Sequence, residues 1–104
     1  LKTLAGEGYC LTDEVDRLYK YDLQNDSEYC LTLYTYLMCS RSLKDTCEKL
    51  FTHRNTVLYR IRRIREDFAI DTDGTEDRMR LMLSLGLALV TQGRDELFIK
   101  EIEE

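Results

Sequence analysis

Hydrophobic residues recur every three or four positions along most of this chain, which is the period of a helix that buries one side. No run alternates apolar and polar residues as a half-buried strand would, and there is no proline. This pattern predicts an all-α fold, a compact domain of about five helices. They are expected near residues 13–24, 27–39, 42–50, 53–68 and 76–92. Ser27 and Thr75 are suited to cap two of them at the N-terminus, and Gly93 is suited to cap the last at its C-terminus.

The predicted helix over 53–68 has the clearest division between an apolar and a polar side. Its buried stripe is expected to consist of Val57, Ile61, Ile64 and Phe68, spaced i, i+4, i+7 and i+11. On a helix of 3.6 residues per turn, the opposite side carries Asn55, Tyr59, Arg62 and Arg63. The residues that flank the stripe are Arg54, Arg60 and Arg65. Polar side chains are therefore predicted to point away from the core, with cations beside them.

Charge is distributed unevenly along the chain. Residues 1–52 carry 6 basic and 9 acidic side chains, 53–65 carry 5 and 0, and 66–104 carry 4 and 11, so their net charges are −3, +5 and −7 in a chain of net charge −5. A basic patch on an acidic chain favours one orientation toward nucleic acid, because the acidic parts repel phosphates. The alternative is a solvated helix whose arginines pair with acids one turn away, although 53–65 contains no acid.

A shorter predicted helix precedes the basic one. Ser42 is suited to cap its N-terminus, and Asp45 in the first turn interacts favourably with the helix dipole. Its inner face is expected to hold Leu43, Cys47 and Leu50. About three residues then separate the two helices, and Thr52 or His53 is placed to cap the second. A short helix, a tight turn and a longer basic helix predict a helix-turn-helix, whose second helix enters the major groove of DNA.

The stretch from Thr46 to Ile64 resembles the C-terminal helix-turn-helix domain of the PucR/CdaR-like bacterial transcriptional regulators. The most specific part is the His-Arg-Asn-Thr-Val-x-Tyr-Arg core that begins at His53, and the resemblance extends over roughly residues 18–90. The family usually has alanine where this chain has Cys47 and an aliphatic residue where it has Thr52. Cysteine is a small apolar substitute, whereas threonine is expected to alter the turn or add a cap. The resemblance implies a non-enzymatic DNA-binding output domain with a sensor domain upstream.

Composition bounds the domain organisation. The 104 residues, 43% of them hydrophobic, are enough for one domain but not for two. Because the chain begins at Leu1 rather than methionine, we expect a piece of a longer protein, with residues 1–12 as a linker from a missing upstream domain and 94–104 as an acidic amphipathic tail. No run of 18 or more apolar residues and no signal peptide occur, so a cytoplasmic location without membrane contact is expected.

The cysteines and the single histidine do not suggest a metal site. Cys10, Cys30, Cys39 and Cys47 form no Cys-x-x-Cys pair, and His53 lies in the basic segment. Neither a metal nor a cofactor is expected, and Cys30, Cys39 and Cys47 are interpreted as buried thiols of a reducing compartment. With no nucleophile motif and no glycine-rich phosphate loop, an enzyme is the least favoured class.

The predicted helix over 76–92 is apolar on all sides. Its apolar residues are Met79, Leu81, Met82, Leu83, Leu85, Leu87, Ala88, Leu89 and Val90. This pattern favours a central core helix, which we expect to pack against the equally apolar helix over 27–39. The alternative is a helix that contacts a second chain or the missing upstream domain.

Candidate DNA contacts follow from the hydrogen-bonding groups of the motif. Arginine can bond guanine and asparagine can bond adenine, so Arg62, Arg63 and Asn55 are candidates for base edges or phosphates. The groups suited to phosphates near helix N-termini are those of Ser42, Lys44, His53 and Thr56. The predicted DNA-binding set comprises Ser42, Lys44, Thr52, His53, Arg54, Asn55, Thr56, Tyr59, Arg60, Arg62 and Arg63.

Three members of this set have alternatives that the sequence leaves open. Tyr59 either contacts a sugar or phosphate through its hydroxyl or packs its ring beside the preceding helix. Arg54 and Arg60 either reach DNA or pair with acids of the domain such as Glu48 or Asp77.

We interpret the whole chain as a sequence-specific binder of double-stranded DNA. One recognition helix covers few base pairs, so a homodimer reading two half-sites about one helical turn apart is expected in the full protein. The first alternative is a protein-interaction or oligomerisation module that has the helix-turn-helix shape but does not read DNA. RNA binding, the second alternative, more often uses aromatic stacking platforms than a single basic helix.

Overall fold

The computed structural model describes residues 2–4, 9–72 and 78–91. Five helices follow a short ribbon of two strands, which confirms the predicted all-α class. The helices are α1 Asp13–Asn25, α2 Tyr29–Met38, α3 Leu43–Leu50, α4 Arg54–Glu66 and α5 Arg78–Thr91. The predicted caps Thr75 and Gly93 and the predicted tail over 94–104 lie outside the described residues.

The ribbon was not predicted from the sequence. Strands β1 (Lys2–Leu4) and β2 (Tyr9–Leu11) pair antiparallel, with Thr3 opposite Cys10. Three-residue strands are too short to show an alternation of apolar and polar residues. The ribbon falls within residues 1–12, where a linker was expected, and β2 packs against α5. A connection from this stretch to an upstream domain stays a prediction.

Helix α2 lies at the centre of the domain, with α1, α3, α4 and α5 packed around it. Cys30, Leu33 and Leu37 of α2 are buried in one core together with Leu18 of α1 and Leu85 of α5. The predicted packing between the two most apolar helices is therefore confirmed. At the N-terminus of α2, Tyr29 and Cys30 are buried, so their backbone N–H groups have little access to water and need partners inside the protein.

The N-terminus of α2 is capped by a side chain from α1. Asp22 is buried, and its carboxylate accepts hydrogen bonds from the backbone N–H of Tyr29 at 2.9 Å and of Cys30 at 2.8 Å. The N-cap residue itself, Glu28, makes no capping bond through its side chain. The prediction that Ser27 caps this helix is wrong, because its hydroxyl donates to Asp22 instead. Asp22 thereby joins α1 to α2.

The caps of the helix-turn-helix are formed as predicted. Ser42 Oγ accepts a hydrogen bond from the backbone N–H of Asp45 at 3.2 Å, which caps α3. His53 Nδ1 accepts one from the N–H of Asn55 at 3.1 Å, so His53 rather than Thr52 caps α4. Thr52 donates its hydroxyl proton to the carbonyl of Leu50. The threonine therefore adjusts the turn and adds no cap.

The turn between α3 and α4 contains a bulky residue in a left-handed conformation. Phe51 has φ 53° and ψ 42°, and its side chain is 96% exposed. The backbone N–H of Thr52 bonds the carbonyl of Cys47, which closes the end of α3. A residue with a Cβ is strained in this region by about 1–2 kcal/mol, and the exposed ring recovers little of that cost through burial.

The inner face of α3 differs in part from the prediction. Leu43, Cys47 and Leu50 pack against the core, but each is only half-buried. Thr46 is the fully buried residue, and its hydroxyl donates to the carbonyl of Ser42 at 2.7 Å. This local bond lets a hydroxyl occupy the core without an unsatisfied donor.

The prediction that α5 is buried on every side is wrong. Leu85, Ala88 and Leu89 lie in the core, but three apolar side chains on the other side remain open to solvent. Their exposed fractions are 75% for Met79, 65% for Leu83 and 47% for Val90. The described part of the chain covers α5 from one side only, because α1, α2 and β2 all pack there.

Replacing the capping carboxylate should destabilise the whole domain. We expect Asp22→Ala to lower the free energy of unfolding by about 2–4 kcal/mol, because two buried N–H groups of α2 lose their acceptor. Urea unfolding followed by circular dichroism measures this loss. Glu66→Ala, an exposed acid-to-alanine change at the end of α4, is the matched control and should have little effect. Equal stabilities of the two variants would contradict the capping role.

Relieving the left-handed turn should stabilise the domain. We expect Phe51→Gly to raise the free energy of unfolding by about 1 kcal/mol, because glycine adopts positive φ without a steric penalty. Phe51→Ala removes the same ring but keeps the Cβ, so it separates strain from loss of the aromatic side chain. A gain in thermal midpoint for Phe51→Ala equal to that for Phe51→Gly would show that strain is not the cause.

Candidate nucleic-acid interface

Helix α4 is anchored by the stripe that its sequence predicts. Val57, Ile61 and Ile64 are buried in the core, whereas Phe68 lies beyond the last residue of the helix and is half-buried. Helices α2 and α3 pack against this side of α4. Burial of the stripe therefore determines which side of α4 faces outward.

The outward side of α4 carries polar groups that the domain does not use. Its exposed residues Arg54, Asn55, Thr56, Tyr59 and Arg62 all belong to the predicted set. The Tyr59 side chain is 55% exposed, so its ring is not packed away beside α3. Within the described residues, the side chains of Arg54 and Arg62 have no hydrogen bond and no ion pair. This side therefore presents two uncommitted guanidinium groups and one amide to solvent. We call these five residues the outer face of α4.

Arg63 does not extend away from the domain as its helical position predicted. Its Nε donates to Asp67 at 2.7 Å, and its Nη1 lies 2.8 Å from the hydroxyl oxygen of Tyr21 and 3.3 Å from that of Tyr29. The guanidinium carbon is 5.1 Å from the centroid of the Tyr21 ring and 5.7 Å from that of Tyr29. Both rings also contact Phe68. This Arg63 cluster joins α4 to α1 and α2.

Electrostatics in the Arg63 cluster favour a permanently charged guanidinium. The ion pair with Asp67, followed by the hydrogen bonds to Tyr21 and Tyr29, raises the pKa of Arg63 further above its ordinary value. Burial raises the pKa of the Tyr29 hydroxyl, although the hydrogen bond and the charge of Arg63 act in the opposite direction. The guanidinium therefore stays charged beside the two hydroxyl oxygens, and Asp67 partly neutralises its charge.

Two further arginines of α4 are bound to hydroxyl groups of the domain. Arg60 Nη1 donates to Thr32 Oγ1 at 3.0 Å, and Arg65 Nε donates to Thr72 Oγ1 at 2.7 Å. Arg60 is thus tied to the domain as the sequence allowed, but to a buried threonine of α2 rather than to Glu48. The other proposed acid, Asp77, lies outside the described residues. A hydroxyl does not cancel the charge of Arg60, which still contributes to the field around α4.

The helix N-termini beside the outer face keep hydrogen-bond donors available. Because His53 Nδ1 accepts the N–H of Asn55, the neutral imidazole must carry its proton on Nε2. Ser42 uses its oxygen as an acceptor in the cap, so its hydroxyl proton is free to be donated. Lys44 is exposed in the first turn of α3. Thr52, by contrast, is half-buried and already donates to a carbonyl.

Other chemistry is weakly represented in the part of the chain that the structure describes. It contains no group of three or more side chains suited to hold a metal ion. Cys30 is buried, while Cys39 and Cys47 are half-buried rather than buried as predicted, and none of these three cysteines forms a disulfide. The side chain of Cys10 lies outside the described residues. No described helix has both the length and the apolar character needed to cross a membrane.

The two neighbouring arginines Arg62 and Arg63 should have different effects on stability. We expect Arg63→Ala to lower the urea midpoint of unfolding, because it removes the bonds between α4, α1 and α2. Arg62→Ala removes an identical side chain that has no partner and should leave the midpoint unchanged. Arg63→Lys keeps the charge but not the planar fork, so an intermediate midpoint is expected. Identical midpoints for the two alanine variants would contradict the anchoring role of Arg63.

Comparison with known proteins agrees with this geometry. The family model described as the PucR C-terminal helix-turn-helix domain matches residues 29–87, more than half of the chain. The chain is 38% identical over 66 residues to the "Proline-responsive transcriptional activator PutR" of Bacillus subtilis (strain 168). The aligned residues make up 64% of this chain and 16% of that protein. It is 36% identical over 62 residues to the "Purine catabolism regulatory protein" of the same organism, covering 60% of this chain and 12% of that protein.

These matches span less than a fifth of the length of either relative. No solved structure matches the chain significantly. The family is a class of regulator domains rather than a class of enzymes. The resemblance carried by the core at His53 is confirmed, and the chain belongs to the PucR C-terminal helix-turn-helix family, the DNA-binding output domains of transcriptional regulators.

Proposed function

We propose that this chain reads a specific DNA sequence as the output domain of a bacterial transcriptional regulator, with α4 docked in the major groove. The observation that carries the proposal is the outer face of α4, where Arg54, Asn55 and Arg62 are exposed on a helix anchored from behind. A helix whose apolar side is buried and whose polar side is uncommitted has the geometry of a recognition helix.

Asn55 and Arg62 are the residues best suited to contact base edges. The asparagine amide can bond N6 and N7 of adenine, and the arginine fork can bond O6 and N7 of guanine. The two residues are seven positions apart, which is two helical turns and about 10 Å along the axis. Contacts from both residues would therefore fall on separate base steps of one half-site.

The remaining groups are suited to the phosphate backbone. Ser42, Lys44 and His53 lie at the N-terminal ends of α3 and α4, where backbone N–H groups and the helix dipole already favour anions. Thr56 and Tyr59 carry exposed hydroxyls on α4 that can donate to phosphate or sugar. We assign Thr52, Arg60 and Arg63 to holding the turn and the helix in place, since each is already bonded within the domain.

Charge supports one docking orientation. The segment 53–65 has a net charge of +5, while the rest of the chain is acidic. Because phosphates attract only this segment, approach by other sides of the domain is unfavourable. The acidic remainder should also weaken binding to unrelated DNA. Contacts to base edges would then determine how much more tightly the chain binds its own site.

The whole regulator is proposed to act as a homodimer in the bacterial cytoplasm, with a sensor domain upstream of this chain. The curated relatives are described as a proline-responsive activator and as a regulator of purine catabolism, and both are much longer than this chain. A longer protein of that kind has room for a sensor. Two output domains on adjacent half-sites would then supply the specificity that a single helix lacks.

The proposal is tested by fluorescence anisotropy of the chain with a labelled mixed-sequence DNA duplex. Affinity should fall with salt, with a slope of about −0.9 in log–log form for each phosphate neutralised. We expect Arg62→Ala to weaken binding by about tenfold or more, since one arginine contact contributes roughly 1–3 kcal/mol. Lys20→Ala, which removes one exposed positive charge that is paired with Asp16 on α1, is the control for net charge and should change the affinity little.

Two further observations separate the proposal from its alternatives. A matched RNA duplex should bind more weakly than DNA, because the major groove of RNA is too narrow for a helix. A folded chain that binds no duplex at low salt would contradict DNA binding and favour a protein-interaction module. Equal loss of affinity in Arg62→Ala and Lys20→Ala would show that binding depends only on the overall charge of the chain. It would contradict the assignment of DNA contacts to the outer face of α4.

A further inference from the structure

The exposed side of α5 forms a continuous apolar surface. Met79, Leu83 and Val90 are exposed at positions i, i+4 and i+11, and the buried Gly86 lies between them at i+7, so the four have the same spacing as the buried stripe of α4. They line a shallow groove of about 650 Å³ together with Arg78, Met82 and Leu87 of α5 and Tyr34 of α2. Apolar side chains exposed at this period typically meet another helix. We call these four α5 residues the α5 stripe.

We propose that the α5 stripe is the interface with a second copy of this chain, in which the two α5 helices pack antiparallel about a two-fold axis between Leu83 and Gly86. Because Gly86 is buried and has no side chain, it leaves a depression at the centre of the stripe, and Leu83 of the other copy packs there with Met79 and Val90 on either side of the crossing. In this arrangement Met79 of each copy lies opposite Val90 of the other. The interface is self-complementary, as a two-fold dimer requires.

Charge along α5 supports a second copy and sets its direction. Arg78 and Arg80 lie in the first turn, and Arg78–Thr91 contains no acid. The sequence over 92–104 that follows carries 2 basic and 5 acidic residues. An antiparallel pair places Arg80 of each copy near the negative end of the partner's helix dipole, together with the charge of Arg78, whose Nη2 already donates to the Leu37 carbonyl of its own chain. A parallel pair would bring arginines against arginines.

The position of α5 leaves the outer face of α4 available in such a dimer. Helix α5 packs chiefly against α1, α2 and β2, while the helix-turn-helix is built from α3 and α4 on other sides of α2. The inference deepens the dimeric part of the proposed function, but it can be tested without DNA. Contact along the stripe extends over about 16 Å of helix, less than a standard interface, so we expect weak and concentration-dependent association.

Sedimentation of the 104-residue chain over a range of concentrations measures this association. We expect a monomer–dimer equilibrium that Leu83→Glu weakens by about tenfold or more, because the variant buries a charge at the centre of the interface. Leu23→Glu is the matched control, since Leu23 of α1 is 58% exposed and lies outside the α5 stripe. Circular dichroism confirms that both variants fold. A wild-type chain that stays monomeric at every concentration would overturn the proposal.

The direction of the helices is tested with single cysteines and a short thiol-specific cross-linker, with the wild-type chain reporting the background from native thiols. Leu83→Cys should cross-link to itself, because the two copies of this position lie beside the axis. Met79→Cys should not, since its two copies are about 16 Å apart along the helix. A mixture of Met79→Cys and Val90→Cys should give the mixed dimer. Efficient cross-linking of Met79→Cys to itself would overturn the antiparallel arrangement.

A single half-site duplex separates this inference from the proposed function. Leu83→Glu should bind such a duplex with the wild-type affinity, because only the dimer interface is changed. If the wild-type chain dimerises but binds no DNA, the proposed function fails while the inference stands. If the chain binds DNA and the stripe variants leave sedimentation unchanged, the inference fails alone.

Discussion

The central position of α2 depends on the carboxylate of Asp22. A helix leaves its first backbone N–H groups without partners inside the helix, and burying them uncapped is costly. In α2 these groups belong to Tyr29 and Cys30, both buried, and the residue at the N-cap does not bond them. Because the acceptor comes from α1, the cap also sets the angle between α1 and α2. Helices α3, α4 and α5 all pack against α2, and α5 also packs against α1.

The same pair of helices holds α4 through the Arg63 cluster. Tyr21 of α1 and Tyr29 of α2 provide ring faces and hydroxyl oxygens for one guanidinium group, so α4 is restrained in rotation as well as in position. Three of the five arginines in α4, Arg60, Arg63 and Arg65, are bonded within the domain. These three arginines hold α4 in place and are therefore less available to contact phosphates. A rigid helix keeps Asn55 and Arg62 at fixed spacing, which base readout requires.

The sequence predicts well whatever depends on a short window of residues. The five helices, the buried stripe of α4 and the caps by Ser42 and His53 each follow from residues within a few turns. The capping role of Asp22 does not follow from the sequence pattern, because Asp22 lies in α1 and caps α2. Periodicity does not describe the bend between these two helices. A helical projection places Arg63 on the outer side, but a long side chain can lie back across aromatic rings and become part of the core boundary.

When a helix is apolar on all sides, its packing determines which of its side chains stay exposed. Helix α5 has no polar side, so its sequence could not show which residues stay exposed; only the docking of α1, α2 and β2 reveals the open stripe around Leu83. The short ribbon and the left-handed Phe51 have no periodic signal at all. Among the candidate DNA contacts, the sequence and the fold agree that Asn55, Tyr59 and Arg62 face outward, and they differ on Arg63.

In the proposed dimer, the α5 stripe and the outer face of α4 would reinforce one another on DNA. Each interaction is weak by itself, since the stripe is short and only Arg54 and Arg62 of α4 are uncommitted cations within the described residues. Once one copy is bound to a half-site, a second copy would bind both the neighbouring half-site and the α5 of the first copy. The entropic cost of immobilising the second copy would then be met once for two interactions. By linkage, DNA would then strengthen dimerisation by the factor with which dimerisation strengthens DNA binding. An upstream domain that holds two copies together, or keeps them apart, would act directly on this coupling.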